Sequence, residues 1–151
     1  MVDHAWETLL LLSSVPLRKL DEKGNAVGSA SGCLIHFKGH RLLLMAEHSI
    51  HEGGRWAMEV RYCPSKGTEL FGIPQPHLFA GIDIQGPPQS GLAISSSRTI
   101  DLAYAEVPID VRPLFQELNA NGEVFGQYER AIFASGLETP AAPAIKYGFS
   151  G

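Results

Sequence analysis

The apolar residues of this chain come in short runs bounded by turn formers, and that spacing restricts the fold more than any other feature. Leu42-Leu-Leu-Met45 is typical, four residues between the turn Lys38-Gly39-His40 and the polar stretch Glu47-His48-Ser49. Such a run is too short for a helix and fits a buried β-strand. Further extended runs are Cys33–Phe37, Leu70–Ile73, His77–Ile84 and Thr99–Pro108. In Trp56–Tyr62, residues Trp56, Met58, Val60 and Tyr62 alternate with Ala57, Glu59 and Arg61, the period of a strand with one buried face. Sixteen glycines and ten prolines in 151 residues are many for a helical bundle and suit short strands and tight turns.

Read in order, Leu9–Leu20 is expected to be a first strand, with Pro16 pushing its second half to an edge or bulge. A short helix over Ala5–Leu12 is the alternative. Asp21–Asn25 reads as a hairpin turn, and residues 49–55 as one helical turn and a loop closed by Gly53-Gly54. The Gly-, Pro- and Ser-rich stretch Gln85–Ser97 reads as a surface loop. Six or so antiparallel strands with turns between them predict an all-β fold, a small closed barrel.

Composition narrows the function classes. A chain of this length and 44% hydrophobic content can bury one sizeable core. A net charge of -4 gives no basic field for nucleic acid, and no apolar run is long enough to span a membrane. Leu9–Leu12, preceded by Asp3 and Glu7, has the wrong length and flank for a signal peptide, so a cytoplasmic location is the default expectation. Cys33 and Cys63 could pair, but two cysteines do not make a disulfide framework.

Two residues stand out chemically. His48 follows the end of a strand, where rigid backbone can hold an imidazole at the edge of a cleft, and a neutral imidazole can take a proton near pH 7 and return it. Asp101 stands between Ile100 and Leu102, and a carboxylate drawn partly out of water needs a hydrogen-bond donor. If folding brings the two together, the aspartate fixes the tautomer and leaves the other ring nitrogen as a base. The plainer readings are a satisfied histidine and a solvated aspartate. A metal site built from His48, His51 and Glu52, with His40 nearby, is a rival, although the spacing matches no strong zinc pattern. Otherwise His40 and His51 read as solvated turn histidines, and Trp56 and Tyr62 as core packing.

The combination of motifs resembles a known family. Gly28-Ser-Ala-Ser-Gly-Cys-Leu-Ile35, Leu43-Leu-Met-Ala-Glu-His48-Ser-Ile50 and Ile100-Asp101-Leu-Ala103 are similar, in order and spacing, to the N-terminal half of a trypsin-like (chymotrypsin-fold) serine peptidase. Residues Arg130–Pro140 resemble the strand that opens that family's second barrel. The resemblance implies a six-stranded antiparallel Greek-key barrel over residues 1–120, followed over 121–151 by a linker and the first strand of an incomplete second barrel. It implies His48 as general base, Asp101 as its orienting partner, a peptide or protein substrate and no cofactor.

The nucleophile departs from the pattern. The family places its serine in a Gly-x-Ser-Gly-Gly turn, and Gly148-Phe-Ser150-Gly151 matches only the opening of that turn, making Ser150 the candidate. Ser150 also comes about ten residues after the strand that should begin the second barrel, too few for the strands that should intervene. Ser49 stands where animal members carry a cysteine, which is closer to bacterial or viral members. Since the family's substrate cleft lies between two barrels, the 151-residue piece is expected to be inactive alone. A catalytically dead, protease-like binding domain is the second reading that the resemblance leaves open.

Overall fold

A computed structural model describes residues 4–50, 53–85 and 93–133 of the chain. Its elements run α1 (His4–Ser13), β1 (Ser14–Leu20), β2 (Ala26–Phe37), β3 (His40–Met45), α2 (Glu47–Ile50), β4 (Arg55–Cys63), β5 (Gly67–Gly72), β6 (His77–Gln85), β7 (Ala93–Glu106), β8 (Leu114–Leu118) and β9 (Val124–Glu129). The predicted β class holds, and every strand pairing within the sheets is antiparallel.

Seven strands form one sheet in the order β5-β4-β1-β2-β3-β7-β6, and β8 and β9 form a separate hairpin. The six-stranded closed barrel is therefore corrected: among the described residues the sheet has seven strands, and its hydrogen-bond ladder is open between β5 and β6. Those two edge strands are nevertheless consecutive in sequence, joined by Ile73–Pro76. Five Cα steps reach at most about 18 Å. In a flat sheet the two edges would stand about 29 Å apart, at roughly 4.8 Å per strand. The sheet must therefore roll until its edges approach each other.

The core lies on the inner face of that roll. Register sets Leu34 opposite Leu43, Leu43 opposite Ala105, Met45 opposite Ala103 and Leu17 opposite Met58, all of them buried. Full burial of a leucine or methionine side chain contributes about 1.5–3 kcal/mol, so each of these pairs helps hold the strands together. Gly32 is required among them. A Cβ there would stand 2.7 Å from the Leu44 carbonyl oxygen and 2.8 Å from Leu43 Cδ1.

The turns follow from local chemistry. Asp21 accepts the backbone N–H groups of Lys23 and Asn25 at 2.9 and 2.8 Å, closing the β1–β2 hairpin. Lys38 and Gly39, both at positive φ, form the two-residue β2–β3 turn, a backbone that matches the twist of the flanking strands. Gln116 of β8 accepts the Tyr62 N–H at 2.6 Å and donates to the Tyr62 carbonyl at 3.1 Å, docking the hairpin on β4.

Two sequence expectations fail near the chain start and after β6. Leu9–Ser13 is helical, not extended: the alternative helix is present and runs from His4 to Ser13. Pro16 lies inside β1 where the strand has only β2 beside it. β4 pairs from Leu17 onward, and the irregularity falls at Lys19/Leu20. The proline thus sits where one missing N–H costs least, while the half expected at an edge or bulge is paired on both sides and carries the bulge-like shift. Within the expected loop Gln85–Ser97, β6 extends through Gln85 and β7 begins at Ala93, because pairing with β6 outweighs the weak strand preference of serine. The expected division at residues 120/121 falls in the β8–β9 turn. No helix among the described residues is long and apolar enough to cross a membrane.

Candidate active site

The β3–β7 register sets up the site. Pairing runs from Leu42 opposite Glu106 to Met45 opposite Ala103, so extending it by two residues sets Asp101 opposite Glu47, the first residue of α2. There β3 turns into a single helical turn whose first N–H groups lack intrahelical partners. Asp101 supplies one acceptor: its Oδ1 takes the backbone N–H of His48 at 2.9 Å. Its other oxygen, Oδ2, lies 2.7 Å from Nδ1 of the same residue's ring.

One carboxylate therefore holds both the backbone and the imidazole of His48. Such a two-point hold fixes the ring plane as well as its position, because rotation about the side chain would break the second bond while the first stayed. A carboxylate only accepts, so Nδ1 carries the proton and Nε2 keeps its lone pair in the neutral ring. The hydrogen bonds from the His48 backbone and ring, with a further one from the Glu47 backbone, hold the Asp101 carboxyl below its ordinary pKa. Both side chains are open to solvent, His48 at 73% and Asp101 at 57%. The pair is hence weak as a stabilising ion pair, and its consequence is orientation.

A cavity of about 550 Å³ opens beside α2, walled by Leu20, Ile50, Trp56, Ile73, Pro76 and Leu78, with Glu47 also lining it. Trp56 is 9% exposed, and its Nε1 is buried with no hydrogen-bond partner among the described residues. An apolar side chain would fit the walls. The sequence places Trp56 in the core, Leu20 and Leu78 in strands and Pro76 in a stiff loop, and none of them in a site. The cavity arises where the β5–β6 connection crosses from one sheet edge to the other, a closure that no local pattern signals.

The other candidates separate. His40 sits at the start of β3, so the length of that strand, roughly 16 Å at 3.3 Å per residue, lies between it and the α2 end. Its side chain is solvated, as expected, with Nδ1 2.8 Å from Glu106 Oε1 at the surface, and it cannot join His48 at one ion. His51 and Glu52 lie outside the described residues, as does Ser150. Among the described residues no group of three or more His, Cys, Asp or Glu side chains could hold a metal ion. Cys33 and Cys63 are free thiols. Burial pushes the Cys33 thiol pKa up, whereas hydrogen bonding with Ser65 pulls that of Cys63 down.

No known protein family, curated protein or solved structure matches the chain.

Proposed function

We propose that this chain is the N-terminal part of a trypsin-like serine peptidase, hydrolysing peptide bonds by acyl transfer, with His48 as general base and Asp101 as the residue that orients it. The observation that carries this reading is the double contact of Asp101 with the His48 backbone and ring, made across 53 residues of sequence. Nδ1 is engaged, so Nε2 is the nitrogen that would take the proton of an attacking hydroxyl and return it to the leaving amine. The charge of Asp101 would then stabilise the imidazolium formed on the way.

The strand order supports the reading as well. β4 returns beside β1 to give β4-β1-β2-β3, the spatial order of a Greek key, and the rolled sheet is read as the family's first barrel with its ladder open between β5 and β6. Gly32 fits the glycine-rich strand of the resemblance, because the close approach of β3 leaves no room for a Cβ. The cavity beside α2 would receive an apolar substrate residue near the scissile bond. The nucleophile is proposed to be a serine in a Gly-x-Ser-Gly-Gly turn, for which Ser150 is the candidate in this sequence.

The test is labelling by a fluorophosphonate, which captures a serine only when a base activates it. A chain extended past Gly151 through a complete Gly-x-Ser-Gly-Gly turn should label, and His48→Ala should lower the rate by about 10⁴-fold or more. Labelling that survives His48→Ala would overturn the assignment.

A further inference from the structure

A second cluster lies at the other end of β3, away from His48, and the peptidase reading leaves it without a role. Arg41 at the start of β3, Arg112 before β8 and Arg130 after β9 line a cavity of about 170 Å³ together with Pro113, Glu129 and Ile132. Three guanidinium groups against one carboxylate give this wall a positive balance on a chain whose net charge is -4. Like charges converge in this way at a cost that an anion between them removes.

Two of the three are withdrawn from water without full compensation. The Nε atoms of Arg41 and Arg130 are buried and have no hydrogen-bond partner among the described residues. Burial lowers the pKa of the Arg130 guanidinium, although Glu59, itself paired with Arg18, acts in the opposite sense. Their remaining contacts fix them in place. Arg41 Nη1 donates to the Val111 carbonyl at 2.7 Å, and Arg130 Nη1 donates to the carbonyls of Leu11, at 3.2 Å, and Ser14. Arg130 also stands over the Phe115 ring, 5.6 Å from its centre. Arg112, with 71% of its side chain exposed, reaches Glu129 Oε1 at 3.4 Å, a long contact that leaves the side chain easy to recruit.

We propose that Arg41, Arg112 and Arg130 form a receptor for a phosphate group, set between the β8–β9 hairpin and the start of β3. The volume is several times the roughly 30 Å³ share of one water, enough for a phosphoryl group but too small to enclose a nucleotide. A tetrahedral anion presents oxygens in more directions than a carboxylate does, and so suits donors that arrive from three separate elements. The exposed Arg112 fork can meet two phosphate oxygens as a pair, while Arg41 and Arg130, held through Nη1, would add their remaining Nη donors from fixed positions. The ligand is free phosphate or a phosphomonoester whose ester arm leaves through the open side. It joins the hairpin to the main sheet and would stabilise that junction. This proposal does not rest on the peptidase reading.

Thermal unfolding of the chain with inorganic phosphate, at ionic strength held constant with sodium chloride, tests it. The melting temperature should rise along a saturable curve. Arg112→Gln, on an exposed side chain that folding does not need, should weaken the half-saturation concentration at least tenfold, and Glu129→Gln, which removes the competing carboxylate, should tighten it several-fold. Phosphate also stabilises proteins generally by exclusion from their surface, an effect that does not saturate at low concentration. A rise that fails to saturate, and is the same within twofold in both variants, would overturn the proposal. Phosphoserine in place of phosphate identifies the source: a tighter curve assigns an ester, an equal or weaker one the free ion.

Discussion

β3 and β7 are tied together at both ends by a histidine and a carboxylate, and the two ties are nearly twins. His48 Nδ1 lies 2.7 Å from Asp101, and His40 Nδ1 lies 2.8 Å from Glu106. Exposure does not separate them either, at 73% and 57% for the first pair and 63% and 64% for the second. The difference is in the backbone. Asp101 also accepts the His48 N–H at the start of a helical turn, while Glu106 meets His40 only through its ring, beside a two-residue hairpin turn. Distance and residue type alone would assign both pairs the same chemistry. The second hydrogen bond distinguishes an oriented imidazole from a surface contact.

The largest expected effect tests that distinction through turnover. In an extended chain that labels, Asp101→Asn should lower the rate by roughly 10³–10⁴-fold, because an amide in that place favours the wrong tautomer. Glu106→Gln should leave the rate within about twofold. Equal losses in the two variants would erase the difference between the pairs.

Next is the strand that both pairs rest on. Gly32→Ala should destabilise the fold by about 1–3 kcal/mol in urea denaturation, since the added methyl meets the Leu44 carbonyl and Leu43 at the end of β3 that leads to His48. Gly39→Ala, in the turn at the His40 end, meets no atom within 4 Å but must adopt φ +85, and should cost about 1 kcal/mol. A smaller effect at Gly32 than at Gly39 would show that β3 is not pressed against β2 as described.

The smallest effect is in titration. Asp101 is held below its ordinary pKa in the folded chain, so the stability it contributes is present above its unfolded pKa and is lost as pH falls through the lower folded value. Its side-chain carbon resonance should accordingly titrate below that of an unstructured aspartate. His48→Ala removes the ring bond and leaves the backbone bond, the largest cause of the shift, so the midpoint should return only part of the way. A full return would assign the hold to the ring alone.

How far the sequence reached can be judged residue by residue. The strands Trp56–Tyr62 and Cys33–Phe37, and the turn after Lys38, were legible because each expresses a local period or a local demand for positive φ. The helical turn after β3 was legible only in part, since it was expected within residues 49–55 and spans Glu47–Ile50. The contact of His48 with Asp101 was anticipated from residue type and from the resemblance, since no local pattern spans 53 residues. What stayed hidden depends on closure and pairing. β7 begins at Ala93 because β6 is beside it, and His40 meets Glu106 because the register that sets Leu42 opposite Glu106 leaves His40 on the diagonal, two residues along. The helix at the chain start was legible only as the alternative over Ala5–Leu12: a short apolar run carries no period of its own, and its Leu11 and Leu12 carbonyls are capped from 119 residues away by Arg130 and Ala131.

The most direct test of the held base is the ¹⁵N spectrum of the His48 ring in the intact chain, above the pH at which the ring is neutral. Protonated Nδ1 and unprotonated Nε2 are expected, with the His40 ring as an internal reference and the His48 preference lost in Asp101→Asn. A proton resident on Nε2, or a spectrum that Asp101→Asn leaves unchanged, would contradict the account.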